Sequence, residues 1–512
     1  MTAPTNNRTA IPPSKEPMPI FWALVWWSLV GIGLGLIIEI VFAQMAAGTW
    51  VWEGPLNLDS TKWFDVSRST ITTVGIFGLG GAALLAYRRQ HTSERQHTLD
   101  ERKQGSVDKT DLRARYTTAA EQLGHEKPAV RLAGVYAMAA LADDWHSAEE
   151  DEQRQICIDV LCAYLRMEYD PDSDKAKTGE KEVRLTVIKV ISSHLQDTSS
   201  TSSWCGMNLD FTGAVFDGGD FSSVKFTGGN VTFAGARFTN GNINFTNTEL
   251  SGGNVIFAGA HFSGGNIIFS GTDFAGGNAI FTRAHFTDGL VSFAGVRFTD
   301  GNINFSNAKF TSGLVNFSRS EVAGGSIIFT DAQLSGGNIS FSNAKFIGGN
   351  ITFSRAKLNE GGLNFGSARF SKGTVSFNGA TFATPSATFA RARFTGGVAS
   401  FAKTRFTAGF VSFKGAKFTA GTVAFEAATF VGGHVSFDQA EFTGASVSFL
   451  KIRGAKPALL TFENVSSWAH PPEFPWAPGA SPAWVLPTSL PPGTTPSLLP
   501  ENQEDVGLPS SP

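Results

Sequence analysis

The order of apolar and polar positions divides the chain into regions with different periods. Residues 1–18 are polar and proline-bearing. The run IFWALVWWSLVGIGLGLIIEIVFA, from Ile20 to Ala43, carries one charge and is long enough to cross hydrocarbon as a helix. A second, shorter run, TITTVGIFGLGGAALLAY from Thr70 to Tyr87, carries no charge. Together they predict a two-helix transmembrane hairpin over 19–88, with Trp22, Trp26, Trp27, Trp50, Trp52 and Trp63 as interfacial aromatics. Gly31, Gly33 and Gly35 in the first run, and Gly75, Gly78, Gly80 and Gly81 in the second, suit close helix contact. A linker is expected over 89–110. Over 111–200 small and aliphatic residues recur at helical spacing, as in Val130, Ala133, Ala137 and Leu141. They predict helices over 111–124, 128–143, 150–168 and 180–196, with Pro128 at a helix start.

From residue 205 the helical spacing ends. Phe211, Phe216, Phe221 and Phe226 stand five apart, and the period then becomes 12, split seven and five. One series runs from Phe233 through Phe245, Phe257 and Phe269 to Phe449, and all 19 of its positions are Phe. The other runs from Phe226 through Phe238 and Phe262 to Phe442, interrupted only by Leu250, Val322, Leu334 and Leu358. Two residues before the first series stands nearly always a β-branched residue; before the second, mostly Ala. Residues i−2 and i share one face of a strand, so each period predicts two strands with an inward pair apiece. Phe211, Phe216, Phe221, Phe226, Phe233, Phe238, Phe245, Phe257, Phe262 and Phe269 begin the predicted core ladder. Gly229, Gly241, Gly253 and Gly265 open a Gly series that fails only at Pro385 and Ala445, as a corner needing positive φ would require. Asn230, Asn242, Asn254, Asn266, Asn278, Asn302, Asn338 and Asn350 predict amide ladders between turns.

The register of Phe211–Phe226, with Leu209, Ala214, Gly219 and Val224 two residues before each ring, resembles the pentapeptide-repeat family. That family's unit has a central Leu or Phe and a small residue two before it. The resemblance covers residues 205–450 and implies a right-handed, four-sided β-helix. A 12-residue turn would crowd two Phe rings onto one axis, so two periods closing a 24-residue turn are expected. Nine such turns between Phe226 and Phe442 would span roughly 43 Å at about 4.8 Å per strand. VRLAGVYAMAALA is similar to helix-pair repeats of the HEAT or armadillo kind. The expected class is therefore mixed: a transmembrane α-hairpin, a small HEAT-like α-helical segment over 111–200, and a β-solenoid over 205–455. Residues 456–512 are expected to form a cap, PALLTFENVSSW, and a tail. From Pro471 that tail holds 12 of the chain's 22 prolines and is expected to be disordered or extended, with FPWAPGASPAWVLP as a short recognition segment. The order of anchor, helices and repeats is similar to that of bacterial membrane-anchored pentapeptide-repeat proteins.

Composition follows from this layout. The repeat accounts for an excess of Gly (56) and of Phe over Tyr (44 against 5). A net charge of −3 excludes a strongly basic nucleic-acid binder and an acidic disordered chain. Three cysteines, Cys157, Cys162 and Cys205, exclude a disulfide framework and agree with a reducing compartment. Arg88, Arg89, Arg95, Arg102 and Lys103 follow the second run, whereas Lys62 and Arg68 share the intervening loop with Glu53, Asp59 and Asp65. The positive-inside rule then gives a multi-pass plasma-membrane protein with both termini cytoplasmic.

Candidate chemistry is sparse. No phosphate loop, nucleophile elbow or metal-ligand spacing is present, so neither enzyme activity nor a cofactor is expected. Glu39 inside the first run suits an ion site, or a carboxylate that snorkels from near the outer end. The residue before each second-series Phe turns basic toward the C-terminus: Lys345, Lys357, Arg369, Arg393, Arg405 and Lys417. Such a stripe would suit anionic lipid or nucleic acid, or simply keep a Phe-cored rod soluble. The expected function is a membrane-anchored scaffold whose solenoid binds an unidentified protein partner; oligomerisation stays open. The family's quinolone-resistance members mimic DNA against topoisomerases as acidic, soluble dimers. Here residues 205–450 carry 17 Lys+Arg and 13 Asp+Glu, net +4, which argues against mimicry and leaves nucleic acid unlikely as a partner. A channel built by oligomerisation is the third reading, with Glu39 its polar hint.

Overall fold

The computed structural model describes residues 20–48, 59–171, 177–477 and 479–487. It divides into two compact units, Met1–Thr110 and Asp111–Pro512. The first contains α1 (Ile20–Ala47) and most of α2 (Ser60–Leu123). Within α1, Leu29–Ala47 is long and apolar enough to cross a membrane. Its side chains are not packed in a protein core: Ile32 is 63% exposed, Ile37 60% and Met45 75%.

Two expectations concern this unit. The run Thr70–Tyr87 is helical in its backbone as part of α2, but most of its side chains lie outside the described residues, so among the described residues one helix, α1, is long and apolar enough to cross a membrane, and the second span of the expected hairpin falls outside what is described. The N-terminal tail and the loop tryptophans Trp50 and Trp52 also lie outside the described residues. The stretch 89–110, expected as a linker, continues α2 without a break. Its sequence contains no Pro and one Gly, and is rich in Arg, Gln, Glu and Lys, which cost little in a helix.

In the second unit, the last turns of α2 pack with α3 (Pro128–Ser147), α4 (Asp151–Arg166) and α5 (Glu180–His194). These are the four helices read from the apolar spacing. Pro128 opens α3, where the amide it lacks would have had no partner. Leu112, Ala119, Val135, Leu161 and Val187 are among the residues buried between them.

A parallel β-solenoid of about 12 turns follows. Its pairing register settles the turn. His261–Phe262 pairs with His285–Phe286, and Asn278 with Asn254, so two sequence periods close one turn. The first turn is shorter, since Leu209 pairs with Val231. Each turn supplies strands to four ladders. The first contains Arg237–Phe238 and His261–Phe262; the second Ile243–Asn244 and Asn266–Ile268; the third Glu249–Leu250 and Asp273–Phe274; the fourth Asn230–Thr232 and Asn254–Ile256. All ten rings named as the start of the core ladder are buried. First-series rings form two columns, with Phe257 stacked on Phe281 at 4.6 Å and Phe245 on Phe269 at 4.8 Å. The two columns meet edge to face, as Phe245 meets Phe257 at 6.2 Å and 90°. That alternation satisfies the ring quadrupoles in both directions.

Two kinds of corner join the ladders. At the Gly corner, Gly397 has φ +70°, and a Cβ there would stand 2.7 Å from the carbonyl oxygen of Gly373 one turn below. Close approach as well as backbone handedness thus fixes the residue. One residue on from such corners, Asn266 donates from its amide to Asn242 at 3.1 Å, and Asn302 to Asn278 at 3.0 Å, forming the expected amide ladders. The other corner, Phe-x-x-Ala, carries a left-handed residue that the sequence does not announce. Arg283, Arg319, Arg355, Arg391 and Lys403 all have φ between 56° and 59°. Ala284 N–H donates to the Phe281 carbonyl at 3.1 Å to close the turn, and Arg283 N–H donates to Ser306 on the next turn at 3.0 Å. These bonds offset a conformational cost of about 1–2 kcal/mol per residue.

Both solenoid ends are covered. At the start, α5 lies against the first turn, where Ser192 Oγ donates to Asp220 O at 2.7 Å and Lys225 N–H to Leu195 O at 2.8 Å. At the far end the structure departs from expectation. PALLTFENVSSW adds a further turn, with Leu460 paired to Val435. Residues 471–477 and 479–487, expected to be disordered or extended, pack with Trp468 as the cap. Trp468 stacks on Phe442, Phe474 on Phe449 and Trp484 on Phe430. The aromatic rings outweigh the prolines because each finds an open ring stack to close. Residues 488–512 lie outside the described residues.

Phe329 lies in the middle of its column, 4.8 Å from Phe305 and 4.6 Å from Phe353. Phe329→Ala should lower unfolding stability by about 3–5 kcal/mol, measured by denaturant titration, with Phe329→Leu costing less.

Candidate functional site

The 24-residue turn separates residues that a 12-residue period makes look contiguous. Lys345, Arg369, Arg393 and Lys417 are consecutive partners in the third ladder. Lys357 and Arg405 lie in the first ladder, with Thr381 between them. The basic stripe is therefore two columns on different faces. The third-ladder column is bounded by carboxylates: Glu321 stands 4.0 Å from Lys345, and Glu441 2.9 Å from Lys417. In the first ladder, towards the N-terminus, Arg237, His261, His285 and Lys309 stack in register. The two imidazoles lie 4.8 Å apart and nearly parallel. Burial, His261 and Lys309 all push the His285 pKa down, so the ring favours its neutral form. At the left-handed corners Arg355 forms a two-pronged pair with Asp331, at 2.9 and 2.6 Å. Both side chains are exposed, so solvent screens the pair and it contributes little to stability.

A second polar cluster joins the helices to the first turns. Asp143 of α3 accepts from Trp204 Nε1 at 3.0 Å and lies 3.2 Å from His194 Nε2. His194 Nδ1 lies 2.7 Å from the Val190 carbonyl, and its ring stacks on Trp204 at 4.2 Å. A carbonyl at one nitrogen and a carboxylate at the other both call for a donor, so the imidazolium fits. Burial opposes the charge, but the Asp143 and Val190 bonds outweigh it and the His194 pKa is raised. Nearer the start of α5, Arg184 donates to Val215 O at 3.1 Å and lies 4.3 Å above the Tyr169 ring. Tyr169 donates to Asp217 at 2.9 Å, and Lys181 pairs with the same carboxylate at 3.1 Å. Arg166 also pairs with Asp210. These contacts tether helices to solenoid, and a cavity of about 340 Å³ lies between Tyr169, Lys181, Asp217 and Asn240.

Cys157 and Cys162 are buried in the helical core, and burial pushes both thiols up to about 12, which suits packing and not nucleophilic chemistry. Among the described residues no group of three or more His, Cys, Asp or Glu side chains is placed to hold a metal ion. Glu39 is half-buried on α1. No motif or periodicity in the sequence marks Asp143, Trp204, Tyr169, Arg184 or Asp217. Their only signal is proximity across intervals of up to 61 residues.

Comparison with protein-family models, curated proteins and solved structures found no match to this chain. The parallel solenoid with its regular Phe ladder is consistent with pentapeptide repeats.

A raised folded-state pKa means that His194 stabilises the junction fully below its unfolded value, about 6.5, and that this contribution is lost as pH rises through the folded value. Asp143→Asn should therefore lower the thermal midpoint more at mildly acidic pH than at alkaline pH. An equal loss at both would show that the ion pair contributes nothing.

Proposed function

We propose that the protein is a membrane-anchored scaffold of the bacterial pentapeptide-repeat type, without catalytic activity, that presents a right-handed solenoid to a protein partner on the cytoplasmic side. The observation that carries the anchor is the exposure of Leu29–Ala47. A helix this long and apolar, with a single charge and nearly all its side chains outside a core, is best matched by a non-aqueous surrounding. A second span over Thr70–Tyr87 and the basic residues after it support a multi-pass arrangement with both termini cytoplasmic. The scaffold role is supported by four regular ladders, capped at both ends, whose outward residues vary while the inward ones do not. Solenoids bind through such faces. DNA mimicry fits poorly, because the column Lys345–Lys417 presents cations where a mimic needs phosphate-like charge.

The full-length chain should resist alkaline carbonate extraction from membranes, and a chain lacking residues 19–88 should move to the soluble fraction. Retention of the deleted chain in the pellet would overturn the anchor. Proximity labelling from the membrane-inserted, full-length protein should enrich a reproducible protein partner, and the solenoid Lys345–Lys417 region should affect that set when altered. Topoisomerase subunits among the labelled proteins would favour mimicry instead.

A further inference from the structure

Charge is unevenly distributed along the solenoid. Residues 209–332 carry six Lys and Arg against nine Asp and Glu, a net −3. Residues 333–425, about four turns, carry eleven Lys and Arg against Glu360 alone, a net +10. An average of +4 over the repeat conceals this cationic belt.

We propose that the third-ladder face of this belt, the column Lys345–Arg369–Arg393–Lys417, docks onto an anionic lipid bilayer surface. The inference rests on the membrane reading above and adds to it a surface-binding role for the solenoid itself.

Four cations stand in register on consecutive turns, about 4.8 Å apart by strand spacing. Like charges directly opposite each other across a ladder destabilise it. The outer two are relieved by Glu321 and Glu441. Arg369 and Arg393 are exposed and have no ion pair among the described residues. Arg391 and Lys372 flank the same ladder at its two corners, so the countercharge that relieves the column must come from outside the chain. Ile347, 38% exposed, stands one residue beyond Phe346 at the end of this face, and Val398, 42% exposed, lies in the neighbouring fourth ladder. A straight row of cations with aliphatic neighbours suits a planar layer of acidic headgroups above an apolar interior. Nucleic acid is less favoured: within the belt the exposed ring is Phe410, which lies in the second ladder, so this face has no stacking platform. Each cation near an anionic surface contributes about 1 kcal/mol, or roughly fivefold in the docked-to-free ratio.

The test uses the full-length chain in vesicles of phosphatidylcholine alone or mixed with phosphatidylserine, with a fluorophore on Ser367→Cys and nitroxide-headgroup lipid as quencher. The unsubstituted chain serves as labelling blank. Quenching should rise with phosphatidylserine, fall at high salt, and lose roughly 30-fold in docked-to-free ratio in Arg369→Ala/Arg393→Ala, at about fivefold per residue. Both side chains are exposed and their removal relieves like-charge repulsion along the ladder, so the variant should unfold at no lower a temperature than its parent. Quenching indifferent to phosphatidylserine, or to the double variant, would overturn the proposal. So would salt-sensitive binding of a labelled oligonucleotide by the detergent-solubilised chain without any phosphatidylserine response. Flotation with phosphatidylcholine vesicles reports the anchor separately. Flotation without quenching sinks the docking face and leaves the anchor standing; flotation with neither vesicle sinks both.

Discussion

Parallel strands stack about 4.8 Å apart, and parallel, offset phenylalanine rings stack with their centroids at nearly the same distance. In this solenoid the two lengths coincide: 4.8 Å between Phe305 and Phe329, 4.7 Å between Phe262 and Phe286. A column of rings can therefore run the length of the fold while every backbone hydrogen bond of the ladder is made. Tyr in the same place would bring a hydroxyl into a dry interior with nothing to bond, which explains why the repeat uses Phe and no Tyr. The small Ala two residues before the second series leaves room for the neighbouring ring. Corners are then confined to places where the chain can reverse within a few residues, and the Gly and left-handed positions follow from that confinement.

Much of the fold was legible because it is written in single residue types. Phe at every twelfth position gives the inward face, Gly gives one corner and Asn gives the amide ladder. The second corner was not legible. Its left-handed residue is Gly at 259, Arg at 283, Asn at 307 and Asp at 331, and only the backbone angle unites them. The packing of the tail from Pro471 was not legible because composition describes a segment's own preferences, while Phe474 and Trp484 are held by rings outside it. The helical stretch 89–110 shows the converse: local propensity was the better guide there than its charged, loop-like composition.

The candidate surfaces were less legible than the core. Inward positions must repeat, since each ring needs another to stack on. Outward positions need only be soluble, so their meaning comes from which column they join. That depends on the turn length, and Lys357, next to Arg369 in the order of the stripe, belongs to a different face. The junction is more hidden still. Asp143, His194 and Trp204 come from a helix interior, a helix end and a loop, and they meet because α5 is seated on the first turn. Through that seat the helical segment, otherwise an ordinary bundle, closes the exposed end of the ring stack.

The sequence repeats every 12 residues, but the surface is laid out two periods at a time. Gain or loss of one period would leave every ring with a neighbour to stack on and every corner intact. It would nevertheless exchange first ladder for third and second for fourth in everything downstream. Lys345, Arg369, Arg393 and Lys417 would then emerge on the opposite side of the rod from Glu249 and Asp273, and the tryptophan cap would rotate by half a turn. Two periods gained or lost together would change only the length. The fold thus tolerates slippage of either parity, while any function that depends on a face tolerates only the even kind. Selection acting on such a surface would count the periods in pairs.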